Sequence, residues 1–587
     1  MPATEPADVG QVLKGQGTMR LLSGGGSVLL GGLLLTLVLI PSSSWTAFFL
    51  HPLRAPGGAP LPVLGEGVGL LRVLLPLCGI GWLMAGWYLL RRTPTHAGLR
   101  ADPTTSVNRF LIFGICVAIV GGILIRLPLL EDGLWYDEIA AFWYYGQFGP
   151  GPIMGNMFTP ANHVAQTLAT WGAVSLNGGA LDPITLRLPA LVMGLASCWP
   201  IWILVRETIG GRWPLVGLLL LMLCPIAVLE STEARGYAFM LFFSASACAL
   251  MTRYLRTGRL ELLPVYALCC ACGIWSHLVT VVVPVGHACL LVAMFCWSTQ
   301  SNRRAAFALL SIALAALMTA TLLAPTLPEL WQGSSAFRAL DADQPVLIGR
   351  EGRWAVLGLG GSWAYFGGLC GLVLAAIGLT GAKGNSAIGR GLLVCGLPLL
   401  VALALILLLG TWIYARFLLL GLPFTLLAVT TGLHRVRLRS PLAAGCLAVL
   451  LVAGWTTDLW YRYQTPRQPI REIMAQIPDD DSRIAVIGVV DFPIILSWYV
   501  ENPQRIVDAG RLLGENQELL KSSSIEWLVV GYPEKTVSDS QTRSALQIGK
   551  ERLPNGFEVV DFQPGWIDED GSMALLRRVR APVPGQS

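Results

Sequence analysis

Residues 111–138 read LIFGICVAIVGGILIRLPLLEDGLWYDE, an apolar run that ends in a cluster of acids. At about 1.5 Å per residue, about 20 helical residues cross about 30 Å of hydrocarbon, so the run is one membrane crossing that emerges at Glu131. Similar runs recur along the chain, at 27–50, 68–90, 186–205, 213–229, 237–253, 262–276, 278–296, 306–327, 354–378, 391–410, 412–433 and 441–460. The composition agrees. The chain has 587 residues, a mean hydropathy of +0.61, 54% hydrophobic residues and 13% charged ones, where charge alone makes up about a quarter of a soluble domain. The expected fold class is an all-α polytopic membrane domain of about 13 helices, followed by a small soluble α/β domain.

The termini and the loops set expectations about sidedness. Met1 to Gly26 is polar and rich in Gly and Ser, and the apolar run Val28 to Ile40 continues through Pro41 to Phe49 with no small-residue cleavage pattern. It predicts an anchored first span rather than a cleaved signal. Lys and Arg collect in alternate loops: Arg91, Arg92, Arg100 and Arg109; Arg206 and Arg212; Arg253, Arg256 and Arg259; Arg303 and Arg304; Lys383 and Arg390; Arg435, Arg437 and Arg439. Short cytoplasmic loops keep positive charge, so these face the cytoplasm with the N-terminus, and the C-terminal tail faces outward. Arg54, Arg350 and Arg353 are exceptions on the outward side. The expected location is a plasma (inner) membrane. The formal net charge of +5 sits mostly in these loops, no basic patch carries interleaved aromatics, and no nucleic-acid partner is expected.

All thirteen cysteines fall between Cys78 and Cys446, within or at the ends of apolar segments. They read as small buried hydrophobes, and Cys269, Cys270 and Cys272 lack the partner pair of a metal site. From about residue 465 charges are spread throughout. Strand-like runs occur at Arg483–Val490, Ile525–Val530, Phe557–Phe562 and Met573–Val579, and Asp479, Asp480 and Asp481 read as a solvated turn.

The outward loops carry the residues suited to chemistry. Leu134-Trp135-Tyr136-Asp137-Glu138 follows the third span. An aromatic pair there fits the interfacial belt, but a carboxylate at the rim of a membrane cavity is also partly desolvated, which suits a general base. Neighbours on a helix point about 100° apart, so one of the two acids is expected to do chemistry and the other to support the fold or a cation. A second segment, Glu230-Ser231-Thr232-Glu233-Ala234-Arg235-Gly236-Tyr237, offers Glu233 as another acid and Arg235 as a permanent cation suited to phosphate, or simply an interfacial ion pair. His163 and His277 also fall outward; each is either structural or a ligand for a divalent cation or a phosphate. Arg416, in Tyr414-Ala415-Arg416-Phe417, either snorkels to the interface or reaches a lipid phosphate. The long loop 328–353, with Trp331, Phe337 and Arg338, has the length of a lid.

The order Leu-Trp-Tyr-Asp137-Glu138, then Asn162-His163, then Leu186-Arg187-Leu188-Pro189-Ala190, then Glu233-Ala234-Arg235-Gly236-Tyr237, resembles the polyprenyl-phosphate-sugar-dependent glycosyltransferases of the GT-C fold. Within them it is similar to the family 39 protein O-mannosyltransferases and the lipid A aminoarabinose transferases. The resemblance covers about residues 110–430 and includes Arg416-Phe417, where relatives often have Arg-Tyr. Many relatives continue His-Pro-Pro then Tyr, whereas this chain reads His163-Val164-Ala165-Gln166. It implies a GT-C type catalytic membrane domain at 110–464, two added helices within 1–109 and an extracytoplasmic domain at 465–587.

The resemblance further implies that Asp137 is the catalytic base with Glu138 beside it, and that Glu233 and Arg235 lie on the same cavity. A sugar would pass from a polyprenyl-phosphate donor to a hydroxyl of a protein, glycolipid or polysaccharide, with inversion. Arg235, Arg416 or a divalent cation would meet the departing phosphate. A transporter or lipid flippase is the rival from another class. Such proteins place ionisable residues near the midplane and often repeat in two halves, and no internal repeat is evident here. A polymerase or ligase of surface polysaccharide shares the donor chemistry.

Overall fold

The computed structural model describes residues 9–55, 61–92, 109–159, 161–297, 302–332, 364–381, 386–409, 415–513, 515–522, 524–548, 556–566 and 571–579. Contacts divide the chain into two units. One comprises Met1–Leu127, Tyr145–Leu181 and Thr185–Asp458, and the other comprises Pro128–Tyr144, Asp182–Ile184 and Leu459–Ser587. The segment bearing Asp137 and Glu138 thus groups with the C-terminal residues.

The first unit is helical. Among the described residues ten helices are long and apolar enough to cross a membrane, from Gly17–Leu37 to Pro441–Gln464, and three apolar helices are shorter: Trp213–Leu223, Leu262–Ser276 and Gly367–Thr380. Each corresponds to one of the expected spans. The boundaries differ where proline intervenes. The expected span 27–50 is not one helix: a helix covers Val9–Leu37, and a second one begins at Ser42 beyond Pro41. Likewise 213–229 breaks at Cys224, whose extended backbone (φ −64°, ψ 119°) precedes Pro225, and Pro225–Glu230 forms a separate short helix. Proline crowds the residue before it out of the helical region. Residues 333–363, with Phe337, Arg338 and the start of the span expected at 354, lie outside the described residues, as do Arg100, Lys383 and Tyr414.

Small residues let the first two long helices touch backbone to backbone. A Cβ on Gly31 would stand 2.7 Å from the Gly79 carbonyl oxygen, and one on Gly86 would stand 2.6 Å from that of Gly24. In lipid, where burial of apolar surface gains nothing, such close packing is what joins helices. For the same reason Cys116, Cys289, Cys296 and Cys446 are exposed on their helices instead of packed in the core, because lipid solvates a thiol's apolar surface.

Among the described residues the second unit is built on a five-stranded sheet in the order Ile506–Asp508, Arg483–Ile487, Ile525–Gly531, Met573–Arg578, Phe557–Gln563. β1 (Arg483–Ile487), β2 (Ile506–Asp508) and β3 (Ile525–Gly531) run parallel, and β5 (Met573–Arg578) and β4 (Phe557–Gln563) add antiparallel at one side. Ile484, Ala485, Val486 and Ile487 are all fully buried, as befits a central parallel strand covered on both faces. β2 was not anticipated; three residues are too few for a readable alternation. Asp479 and Asp480 accept from buried Arg505 at 3.2 and 3.3 Å, so this acidic turn anchors a cation of its own chain.

Candidate functional site

Four sequence segments converge within the helical unit. Gly236 sits at the start of the Tyr237–Thr257 helix, where a Cβ would meet the Ser276 carbonyl oxygen at 2.6 Å and the Cβ of His163 at 2.8 Å. Only glycine lets these three backbones close up, and the closure stacks the imidazoles of His163 and His277 with centroids 4.7 Å apart. Tyr237 lies 5.6 Å from the first ring and 5.4 Å from the second, and Phe417 lies 4.6 Å from His277. Arg416 Nε donates to the Tyr237 hydroxyl at 2.7 Å, and its guanidinium stands 5.6 Å from that ring's centroid. Arg235 Nη1 donates to the Ala161 carbonyl at 2.8 Å and so ties the loop before His163 to the segment after Glu233. His163, Glu233, Arg235, His277 and Arg416 are all at least nine-tenths buried.

Burial, reinforced by the two cations, sets the protonation of the two imidazoles. Burial pushes His277 down to about 3, and the charges of Arg235 and Arg416 push the same way. His163 is held well below its ordinary value by burial, then by Arg235 and His277, against an opposing hydrogen bond to the Ser276 backbone. Both rings are therefore neutral at physiological pH. His277 Nδ1 accepts from the Val279 N–H at 3.4 Å, which leaves its proton on Nε2. Neither Nε2 has a hydrogen-bond partner among the described residues. Two guanidiniums and the free Nε2–H of His277 suit an anionic oxygen ligand better than a cation, while His163, whose N–H goes to the Ser276 backbone, presents only a lone pair. Among the described residues no three His, Cys, Asp or Glu side chains converge on a metal site.

A further residue, unremarked in the sequence, holds this loop. Arg126 is completely buried in the third span, where Nε donates to Ser231 Oγ at 2.7 Å and Nη1 to the Gly122 and Met222 carbonyls at 2.8 and 3.3 Å. An arginine inside an apolar run is itself a signal, since a buried charge needs partners. Tyr237 and Phe417 provide the aromatic face between the histidines and Arg416.

The other acids lie in the second unit. Trp135 precedes the Tyr136–Tyr144 helix, and Glu138 in its first turn accepts from the Trp135 N–H at 3.3 Å. That is the reciprocal half of a capping box, so the buried Glu138 carboxylate closes the helix start. Asp137, one residue earlier, is half-buried. The helix is fastened throughout. Tyr499 Oη both accepts from the Leu134 N–H at 2.7 Å and donates to its carbonyl at 3.0 Å, and Gln468 Oε1 accepts from the Tyr136 N–H at 3.1 Å. Tyr136 donates to the Val490 carbonyl at 2.5 Å, Tyr144 donates to the Asp491 carboxylate, and Arg467 lies 4.2 Å over the buried Trp135 ring. Asp491, beyond the end of β1, has φ 60°, a left-handed conformation that costs a non-glycine residue on the order of 1 kcal/mol or more. The carboxyl ends of parallel strands are where open α/β sheets usually receive a ligand. Here the chain's own Tyr136 stacks on Phe492 at 6.3 Å and Tyr144 bonds Asp491. Burial and the carboxylates of Asp137 and Asp491 push the Tyr136 phenol well above its ordinary range, so it remains a donor.

No family model matches the sequence, and no curated protein matches it. Among solved structures the chain is similar to the oligosaccharyltransferase AglB from Archaeoglobus fulgidus, in complex with an inhibitory peptide and a dolichol-phosphate, at 10% identity over 75% of this chain and 72% of that one, with a TM-score of 0.47. It is also similar to ArnT from Cupriavidus metallidurans in the apo state, at 14% identity over 80% of this chain and 98% of that one, with a TM-score of 0.49. The same protein bound to undecaprenyl phosphate gives 14% identity, 81% and 99% coverage and a TM-score of 0.46.

Proposed function

We propose that the chain is a GT-C type membrane glycosyltransferase that moves a sugar from a polyprenyl-phosphate donor to an acceptor hydroxyl on the outer side of the plasma membrane. The observation that carries this reading is the meeting of Arg235 and Arg416 with His163, His277 and Tyr237 in one buried cluster of an apolar helical unit. Such a cluster suits a lipid whose tail prefers hydrocarbon and whose head is a phosphate. The acceptor oxygen attacks the anomeric carbon as its proton passes to Asp137. The bond from that carbon to the phosphate oxygen breaks, and polyprenyl phosphate leaves with the electron pair. A single displacement of this kind inverts the anomeric centre. Arg235 and Arg416 stabilise the charge that grows on the leaving oxygen, and the Nε2–H of neutral His277 adds a hydrogen bond without adding a proton. The acceptor is a protein, a glycolipid or a polysaccharide.

Transfer of radiolabelled sugar from a polyprenyl-phosphate donor by the purified full chain is the test. Covalent transfer to the acceptor fraction is expected, and movement of the donor across a vesicle bilayer without transfer would point to a flippase. Arg235→Lys and Arg416→Lys preserve charge but lose two-point contact with phosphate oxygens, so each should weaken transfer by at least about tenfold. Native donor affinity and turnover in both variants would leave these arginines as interfacial anchors.

A further inference from the structure

A second polar and apolar combination lies away from that cluster, on helices that include the added N-terminal pair. An apolar groove of about 980 Å³ runs between the Val9–Leu37, Pro62–Arg91, Leu262–Ser276 and Asn302–Leu323 helices, with Met84, Trp87, Tyr88, Leu263, Phe307 and Leu314 among its walls. Met84 and Trp87 are 66% and 54% exposed, so the groove opens sideways, toward lipid.

One end of this groove is cationic in an ordered way. The Arg91 guanidinium stands 4.4 Å from the Trp87 ring centroid, Arg92 stands 5.9 Å from Tyr88, and Arg303 stands 5.8 Å from Phe307. The Tyr88 and Phe307 rings lie 5.6 Å apart, so they bring charges from two different helices to the same end. A fourth guanidinium, that of Arg20, reaches the Leu90 carbonyl at 3.5 Å, and its Nε and Nη1 have no hydrogen-bond partner among the described residues. Glu261, at the head of the third wall, is already paired with Arg259 at 2.7 Å. Among the described residues Arg91, Arg92 and Arg303 form no ion pair with a carboxylate. Like charges collected on aromatic faces beside an apolar slot repel one another unless an anion lies among them.

We infer that this groove is a binding site for an anionic phospholipid, with an acyl chain along the apolar walls and the phosphate among Arg20, Arg91, Arg92 and Arg303. Loop charge assigns this end to the cytoplasm, where anionic lipids enrich the leaflet and basic pockets between helices take their head groups. The site is independent of the glycosyltransferase reading. A lipid seated there touches both the first two long helices and the bundle they join, so it staples the added pair to the rest of the helical unit.

The test uses the purified full chain in detergent with added phosphatidylglycerol or phosphatidylcholine, read by native mass spectrometry and by thermal unfolding. Phosphatidylglycerol should stay bound and raise the unfolding temperature, and phosphatidylcholine should do neither. The Arg91→Gln, Arg92→Gln, Arg303→Gln triple variant should lose about tenfold or more in retained phosphatidylglycerol. Leu314→Trp keeps every arginine but fills the slot, and it should lose the lipid as well, which keeps the test decisive if the triple variant does not fold. Equal retention of both lipids, unchanged retention in either variant, or a preference for undecaprenyl phosphate over phosphatidylglycerol would overturn the assignment.

Discussion

Two adjacent acids at the start of one helix have different neighbours, and this decides what each substitution does. Glu138 is buried and caps its own helix through the Trp135 N–H, whereas Asp137 is half-buried one position earlier. Asp137→Asn keeps size and hydrogen-bonding reach but removes the proton acceptor, so turnover should fall by roughly 10²- to 10⁴-fold with donor binding intact. Glu138→Gln should act on stability, at about 0.5–2 kcal/mol for a weakened cap. A native transfer rate for a folded Asp137→Asn enzyme would dismiss the base assignment and pass the role to Glu233. The histidines make a separate prediction about pH. His277 is lowered to about 3 in the folded chain, and its ordinary value is 6.5. Between those values the unfolded state binds more protons, so stability falls as pH falls through that window. Thermal unfolding between pH 7.5 and pH 5 should show that loss, and His277→Gln should reduce it. An identical slope in the variant would show that the ring titrates freely.

At the scale of elements, what could be read from the sequence depended on how local the cause was. An apolar run of about 20 residues needs only its own composition to become a span. Each expected span accordingly has its helix among the described residues, though 354–363 lies outside them. The breaks at Cys224 and between Leu37 and Ser42 are also local, since Pro225 and Pro41 stand in plain view, yet a hydropathy window averages over them. The helix bearing Asp137 is another matter. Its partners Gln468, Val490, Asp491 and Tyr499 lie more than 300 residues further along, and no periodicity announces a contact at that distance. The pairing of His163 with His277 was equally out of reach, because it depends on the glycine at 236 admitting two backbones. Arg126 was legible but passed over, as the one cation within an otherwise apolar span.

At the scale of the whole molecule, the grouping of Pro128–Tyr144 with Leu459–Ser587 bears on membrane topology. Two segments that fold together beyond their membrane spans lie on one side of a bilayer, so an even number of crossings is expected between Leu130 and Gln464. Among the described residues seven long and three shorter apolar helices lie between them, an even number. Loop charge then decides which side it is: Arg435, Arg437 and Arg439 precede the last crossing, and short basic loops stay in the cytoplasm. The C-terminal unit is therefore expected outside the cytoplasm, together with Asp137. No cysteine occurs beyond Cys446, so Glu518→Cys, at an exposed position, introduces a single thiol into that unit. An impermeant maleimide applied to cells whose outer barrier has been opened should label this variant above the parent protein. Labelling that appears only after the inner membrane is lysed would invert the topology. It would also carry Asp137 to the cytoplasmic side, where an acceptor outside the cell could not reach it.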